Sequence, residues 1–265
     1  MNAISTLSSV RRPVIGMLHL PPLPGSARHA MPMPEIIAHV LRDAEALAAG
    51  GVHGLMLENF GDVPFYPGRV PAETVAGLTA AAVEVRKRFD LPLGINCLRN
   101  DGCSALAIAV AVGAQFIRVN VLCNARVTDQ GLLQGIAHEL LRDRARLKAD
   151  GVKIMADVDV KHSAPLAPIP LEAEVEDTLR RGLADALIVS GQGTGKPTDI
   201  EHVRRVKMAA GDSPVFIGSG ITAENIANFL PHADGFIVGT AFKDGGNPAS
   251  PVQVERVRKL VGAIV

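Results

Sequence analysis

Short runs of aliphatic and β-branched residues recur along the whole chain. Between them lie longer stretches whose apolar positions return every three or four residues. The short runs are VIGMLHL (14–20), GLMLENF (54–60), LPLGINCL (91–98), FIRVNVL (116–122), KIMADVDV (153–160), ALIVSG (186–191), PVFIGSG (214–220) and GFIVGTAF (235–242). Runs of this length and composition read as strands buried on both faces. The stretches between and after them predict helices over about 35–49, 72–89, 102–112, 132–149, 172–182, 199–210, 223–230 and 251–262. Asp199 and Thr222 stand where helix N-caps belong, and Gly50–Gly51, Gly113, Gly151 and Gly182 where C-caps belong. Eight alternating strands and helices in 265 residues predict a (β/α)8 TIM barrel, an α/β fold forming a single domain over 13–265. A doubly wound open sheet is the competing architecture, but it seldom reaches eight such regular units. Residues 1–12 read as a loose leader.

Alternation within each strand sets which side chains point into the barrel. The helix-facing set must be apolar, and that fixes the phase. Ile154, Ala156, Val158 and Val160 then face the helices, so Asp157 and Asp159 face inward. By the same rule His19, Glu58, Asn96, Arg118, Asn120 and Ser190 point inward, most of them near C-terminal strand ends. Barrel enzymes keep their chemistry at that end. A buried network, Arg118 against Asp157 with Asn96 and Asn120 as hydrogen-bond fillers, is the structural alternative. An interior built only for stability would more cheaply be Val, Ile and Leu. A divalent metal held by Glu58, Asp157 and Asp159 is chemically reasonable, although their spacing is not diagnostic. Lys161, Lys196 and Lys243 read as loop cations.

Composition narrows the partners. Lys plus Arg and Asp plus Glu are 27 each, so no basic excess recommends nucleic acid, and one Tyr and no Trp leave little for stacking bases. No apolar run approaches the length of a membrane span, so no integral membrane segment is expected, while peripheral association stays open. Three cysteines without a C-x-x-C suggest reduced thiols and a cytoplasmic protein. A homo-oligomer is expected, as for many barrels.

Three glycine-bearing loops follow the last three strands. SGQGTGKPTD (190–199) resembles a nucleotide P-loop but lacks its first glycine and has Pro197 where a hydroxyl should follow the lysine. The Rossmann spacing fails at Lys196. Loops after the last barrel strands commonly bind phosphate, because glycine lets backbone N–H groups approach an oxyanion. Gly193, Thr194, Gly195, Gly218, Ser219, Gly220, Gly239 and Thr240 are therefore candidate phosphate-binding residues.

The stretches GMLHLPPLPG, ENFGDVPF, GINCLRND, FIRVNV, ADVDVKHS, LIVSGQGTG and VFIGSGI…VGTAFK together resemble the BtpA/SgcQ family over about residues 12–263. The resemblance implies a barrel related to the ribulose-phosphate-binding barrels. One branch of the family is linked to accumulation of photosystem I proteins, and another is encoded with sugar-uptake components. The C-terminal half is also similar in layout to the α subunit of tryptophan synthase. That resemblance implies acid–base roles for Glu58 and for Asp62 in the following loop. The expected activity is acid–base isomerisation, epimerisation or bond cleavage on a phosphorylated small molecule, most simply a sugar phosphate. Glu58 and Asp157 or Asp159 would exchange protons, Arg118 would stabilise developing negative charge, Asn96, Asn120 and Ser190 would orient hydroxyls, and His19 would serve as acid or metal ligand. The alternative is a non-catalytic biogenesis factor that uses the barrel as a ligand-sensing or docking scaffold.

Overall fold

The computed structural model describes residues 7, 10–191 and 198–264. Its strands are β1 (Val14–His19), β2 (Gly54–Glu58), β3 (Leu93–Asn96), β4 (Phe116–Val119), β5 (Ala125–Thr128), β6 (Gly131–Gln134), β7 (Lys153–Val158), β8 (Ser163–Pro165), β9 (Ala186–Val189), β10 (Val215–Ile217) and β11 (Gly235–Val238). The helices are α1 (Met33–Gly50), α2 (Ala72–Arg88), α3 (Gly102–Val112), α4 (Ala137–Arg146), α5 (Leu171–Glu176, continued by a π turn over Asp177–Arg181), α6 (Ile200–Ala210), α7 (Ile226–Phe229) and α8 (Val254–Gly262). Eight parallel strands close a barrel in the order β1-β11-β10-β9-β7-β4-β3-β2. The predicted fold class is therefore the observed one.

The strand phase read from alternation also holds. Val14, Leu18, Leu55, Leu57, Ile95, Ile117, Ile154 and Val189 belong to the large buried cluster between strands and helices. Ile15, Met17, Met56, Phe116, Met155, Ile188, Phe216 and Ile237 form a second cluster that fills the barrel. Its lower layers alternate bulk with absence of bulk. A Cβ at Gly94 would lie 2.0 Å from the Phe116 ring, and one at Gly235 would lie 2.3 Å from the Phe216 ring. Each phenylalanine thus fills the space a neighbouring glycine leaves, as dense packing requires. Leu7 packs into the same cluster and is buried.

Helix ends follow local chemistry where it is strong. Asp199 caps α6 by accepting from the Glu201 N–H at 3.0 Å. Gly51 and Gly113 take left-handed φ of 91° and 69° after α1 and α3. Gly182 does not: its φ is −80°. A side chain there would meet Cys123 Sγ at 2.7 Å, so close approach explains the glycine.

Two predicted elements differ. The helix expected over 132–149 begins only at Ala137. Residues 131–134 instead form β6, which pairs with β5, and β8 joins them in a three-stranded antiparallel sheet. Gly135 donates to the Asn124 carbonyl at 2.7 Å, and a Cβ there would strike the Cys123 backbone at 2.8 Å. That close crossing ends the strand before the helix can start. Leu133 tucks under the small sheet against Val121 and Val160. The helix expected over 223–230 shrinks to α7, and Thr222 does not cap it. The Asn225 side chain accepts from the Thr222 N–H and donates to the Gly220 carbonyl, both at 2.8 Å, holding this stretch as a turn.

Lys243 is not a loop cation. It is fully buried and bonded to Asp43 of α1, which also accepts from the Val252 N–H at 2.9 Å. The pair ties the segment after β11 back to the first helix. Lys196 lies outside the described residues.

Candidate active site at the barrel mouth

Glu58 ends β2 pointing inward and is 6% exposed. Asn96, its register neighbour on β3, donates to Glu58 Oε2 at 2.5 Å. The other oxygen, Oε1, lies 4.0 Å from His19 Nε2 on β1. His19 stacks obliquely on Phe60 with ring centroids 4.5 Å apart. Burial, and then the charges of Lys243 and Lys161, push its pKa down to about 3, so the imidazole is neutral at pH 7. It is available to polarise or accept, and does not act as a cation.

Arg118 and Asp157 behave differently. Nε and Nη2 of Arg118 donate to the two Asp157 oxygens, each at 2.8 Å. Asn120 adds a third donor to Asp157 at 3.0 Å. Burial alone would lower the arginine pKa, but the Asp157 charge outweighs it and holds the group above its usual value. This is the internal network foreseen as the structural alternative. Asp157 is engaged on both oxygens and does not stand as a free proton acceptor.

Asp159 is not an inward group. Its φ of 49° breaks the alternation just past β7. The side chain is half exposed and pairs with Arg126 of β5, which also binds Ser163 Oγ at 2.6 Å and Glu174 at 3.1 Å. Asp159 therefore pins the small sheet to the barrel. The suggested metal set of Glu58, Asp157 and Asp159 does not converge, and no group of three His, Cys, Asp or Glu placed to hold a metal occurs among the described residues. Asp62 is likewise a clamp, accepting from the Leu23 N–H at 2.7 Å and from Asn59 at 3.1 Å. Ser190 is buried inward as expected, and its Oγ accepts from the Lys161 N–H at 3.4 Å.

Two basic residues complete the mouth that sequence reasoning did not place there. Arg99, after β3, is 4% exposed and donates to the Lys161 carbonyl at 2.6 Å. Lys161, after β7, is half-buried. Burial, and then the nearby Arg118 charge, depress its pKa to about 8. Both sit on loops, where no periodicity marks direction. Together with Glu58, Arg118 and Asn120 they line a chamber of about 470 Å³, roofed on one side by Asp129 and Gln130 at the β5–β6 turn. That volume suits a small metabolite.

Gly218, Ser219, Gly220, Gly239 and Thr240 lie on the same mouth, beside His19 and Lys161. Their space is narrow, about 40 Å³. The glycines have a packing reason. A Cβ at Gly239 would lie 2.7 Å from His19 Cε1, and one at Gly218 would lie 2.6 Å from Ile188 and 3.6 Å from Arg118 Nη2. Gly220 has φ of +69°. Gly193, Thr194 and Gly195 lie outside the described residues. A larger cavity of about 670 Å³ opens at the opposite, N-terminal end of the barrel. Charged groups on its lining, Lys153 with Asp185 and Lys207 with Asp234, pair with each other at 2.9 and 2.7 Å.

Residues 10–265 match the sequence model of the BtpA family. This chain belongs to the BtpA family. The photosystem I biogenesis protein BtpA of Synechocystis sp. is 47% identical over 252 residues, covering 95% of this chain and 88% of that protein. Among solved structures, tryptophan synthase from M. tuberculosis superposes with a TM-score of 0.63 at 18% identity, covering 100% of this chain and 99% of that one. N-(5'-phosphoribosyl)anthranilate isomerase from Pyrococcus furiosus gives 0.57 at 13% identity, covering 96% and 98%. At such identities these likenesses establish the shared barrel fold. In this BtpA-family chain no described helix is long and apolar enough to cross a membrane.

Proposed function

We propose that the barrel mouth is the active site of an enzyme acting on a phosphorylated small molecule, most simply a sugar phosphate, by acid–base isomerase, epimerase or lyase chemistry. One observation carries the reading. A buried carboxylate, Glu58, and the cations Arg99, Arg118 and Lys161 converge on a metabolite-sized chamber at the C-terminal strand ends, and the neutral imidazole of His19 lies in the narrow space beside it that Glu58, Arg118 and Lys161 also line. A stabilising core has no use for that gathering. Glu58 is the proton-exchanging group, since Asn96 steadies one of its oxygens and the other faces His19. Asp157 keeps Arg118 charged and in place, and the guanidinium is positioned to stabilise an oxyanion. Lys161 and Arg99 offer charge to the phosphate, and Gly220, Gly239 and Thr240 bring backbone to the adjoining rim. N-(5'-phosphoribosyl)anthranilate isomerase, which shares the fold, is by its name an isomerase of a phosphoribosyl compound, in line with this class.

A thermal-shift panel tests it, comparing sugar phosphates, their unphosphorylated partners, inorganic phosphate and divalent metals. A ligand at about 100 times its Kd adds roughly 2.7 kcal/mol of stability if it binds only the folded chain. The expected result is a shift with a phosphorylated compound that its dephosphorylated partner does not give; a panel without such a shift refutes the reading. The pH dependence has a definite sign. Lys161 is charged below about 8 and neutral above it. A phosphate monoester is already dianionic from about pH 7, its second pKa being about 6. Affinity should therefore fall as pH rises from 7 to 9, whereas an ordinary lysine would hold its charge to about pH 10. A profile flat to pH 10, measured by calorimetry, would show that no cation titrating near 8 holds the ligand.

The name of the Synechocystis relative favours a second reading, a non-catalytic biogenesis factor that docks on a membrane complex. That reading expects robust, salt-sensitive co-sedimentation with anionic vesicles, which the enzyme reading does not.

A further inference from the structure

The chamber at the barrel mouth is not polar on all sides. Phe60, Val63, Phe65 and Leu98 line it together with the cations Arg99 and Lys161. Phe60, Val63 and Phe65 stand on the loop that follows β2, and each is half-buried. None of the three is among the apolar side chains packed against the large core, and Leu98 belongs to none of the three buried clusters. Large apolar side chains that leave the core and gather in a concave space mark a place for a ligand. Backbone clamps hold the loop that carries them. Asn59 bonds Leu98 twice, accepting from its N–H at 2.7 Å and donating to its carbonyl at 3.3 Å. Asp62 accepts from the Leu23 N–H at 2.7 Å, and the Tyr66 carbonyl accepts from the Arg99 N–H at 3.0 Å. A Cβ at Gly61 would strike the Pro22 backbone nitrogen at 2.4 Å, so the loop crosses the segment after β1 in close contact. With bonds on both sides of Val63 and Phe65, the apolar surface is preorganised. Phe65 and Leu98 also line an adjoining cavity of about 380 Å³, so the apolar wall extends beyond the chamber.

A chamber of about 470 Å³ has room for a phosphate and a ring together. A bare sugar phosphate carries a hydroxyl on nearly every carbon. Against Phe60, Val63 and Phe65 those hydroxyls would lose water without gaining a hydrogen-bond partner. An aromatic ring gains there instead, because it removes apolar surface from water and can stack on phenylalanine by edge or face. We infer that the site takes an aryl-bearing phosphate ester, with its ring on the wall of Phe60, Val63 and Phe65 and its phosphate against Lys161 and Arg99. This rests on the reading of the mouth as a phosphate-bearing site and adds the substrate class within it. Phe65 is then a specificity residue: it touches the ring and leaves the Glu58 chemistry alone.

Calorimetry on the full chain tests this with phenyl phosphate, benzyl phosphate, ribose 5-phosphate and inorganic phosphate. The wild-type chain is expected to bind at least one aryl ester about tenfold tighter than ribose 5-phosphate. Phe65→Ala should weaken that aryl ester about tenfold and leave inorganic phosphate within about twofold of wild type. Phe65 stands outside the core, so the variant keeps its fold, which a thermal melt verifies; Val63→Ser serves as a second probe. Ribose 5-phosphate bound as tightly as both aryl esters, aryl affinity unchanged in both variants, or equal weakening of all compounds overturns the inference while leaving the phosphate reading intact. If the wild-type chain binds none of the four, the phosphate reading fails. Benzoate is then titrated: Phe65-sensitive binding keeps the wall as an aryl site for another anion, and no binding ends it as well.

Discussion

Glu58→Gln is expected to lower turnover about 10²- to 10⁴-fold on whichever phosphorylated compound the ligand panel identifies, with thermal stability close to wild type. The substitution is nearly isosteric. Asn96 donates to one oxygen of Glu58, and glutamine can present its carbonyl there unchanged. What disappears is the capacity to take up and return a proton at the position facing His19. His19 cannot stand in for it at low pH, because its pKa near 3 keeps the ring neutral down to the acid range. Steady-state kinetics beside a thermal melt separates the outcomes. A variant that melts normally and turns over at the wild-type rate would take Glu58 out of the chemistry and with it the acid–base reading.

Asp157→Asn should act mainly on stability. Asp157 binds Arg118 through both oxygens, and the two side chains are 0% and 4% exposed. Removing the carboxylate leaves a guanidinium buried without its counter-charge, which costs about 3–5 kcal/mol. In a chain of this size that is a fall in Tm of roughly 6–20 °C. Arg118 would lose its fixed geometry at the same time, so ligand affinity should drop with stability. A pair replaced together by apolar residues of similar volume, Arg118→Met with Asp157→Leu, should recover much of the melting temperature and none of the ligand binding. An Asp157→Asn protein that melts as wild type but no longer turns over would return Asp157 to the proton-transfer role that strand alternation alone suggested.

The contrast between these carboxylates shows what a strand pattern carries. Alternation told inward from outward correctly for Glu58, Asn96, Arg118, Asn120, Asp157 and His19, because a regular strand leaves only two choices per residue. It did not tell a reactive carboxylate from a paired one, since partnership depends on which strands become neighbours in the closed barrel. Arg118 and Asp157 meet because β4 and β7 pair, 39 residues apart along the chain. Alternation failed at Asp159, where one residue at φ 49° turns the side chain away, and no composition signal announced it. The glycines of the last loops were legible as special. Two of them, Gly218 and Gly239, prove to be needed first for the close approach of Ile188 and His19.

The order of strands and helices, the closure into a barrel and the polar character of its mouth were determined by the sequence itself. They follow from short-range periodicities that each segment carries alone. The tertiary structure decided the rest. Lys161 and Arg99 sit on loops, which have no period to read. The second strand of the hairpin that brings Gln130 over the chamber overlapped the start of a helical pattern, which the crossing of Gly135 over the Cys123 backbone delays to Ala137. The burial of Lys243 against Asp43 joins positions 200 residues apart. Contacts of that range are settled by packing and by the need to satisfy every buried charge, and neither can be read from neighbours along a chain.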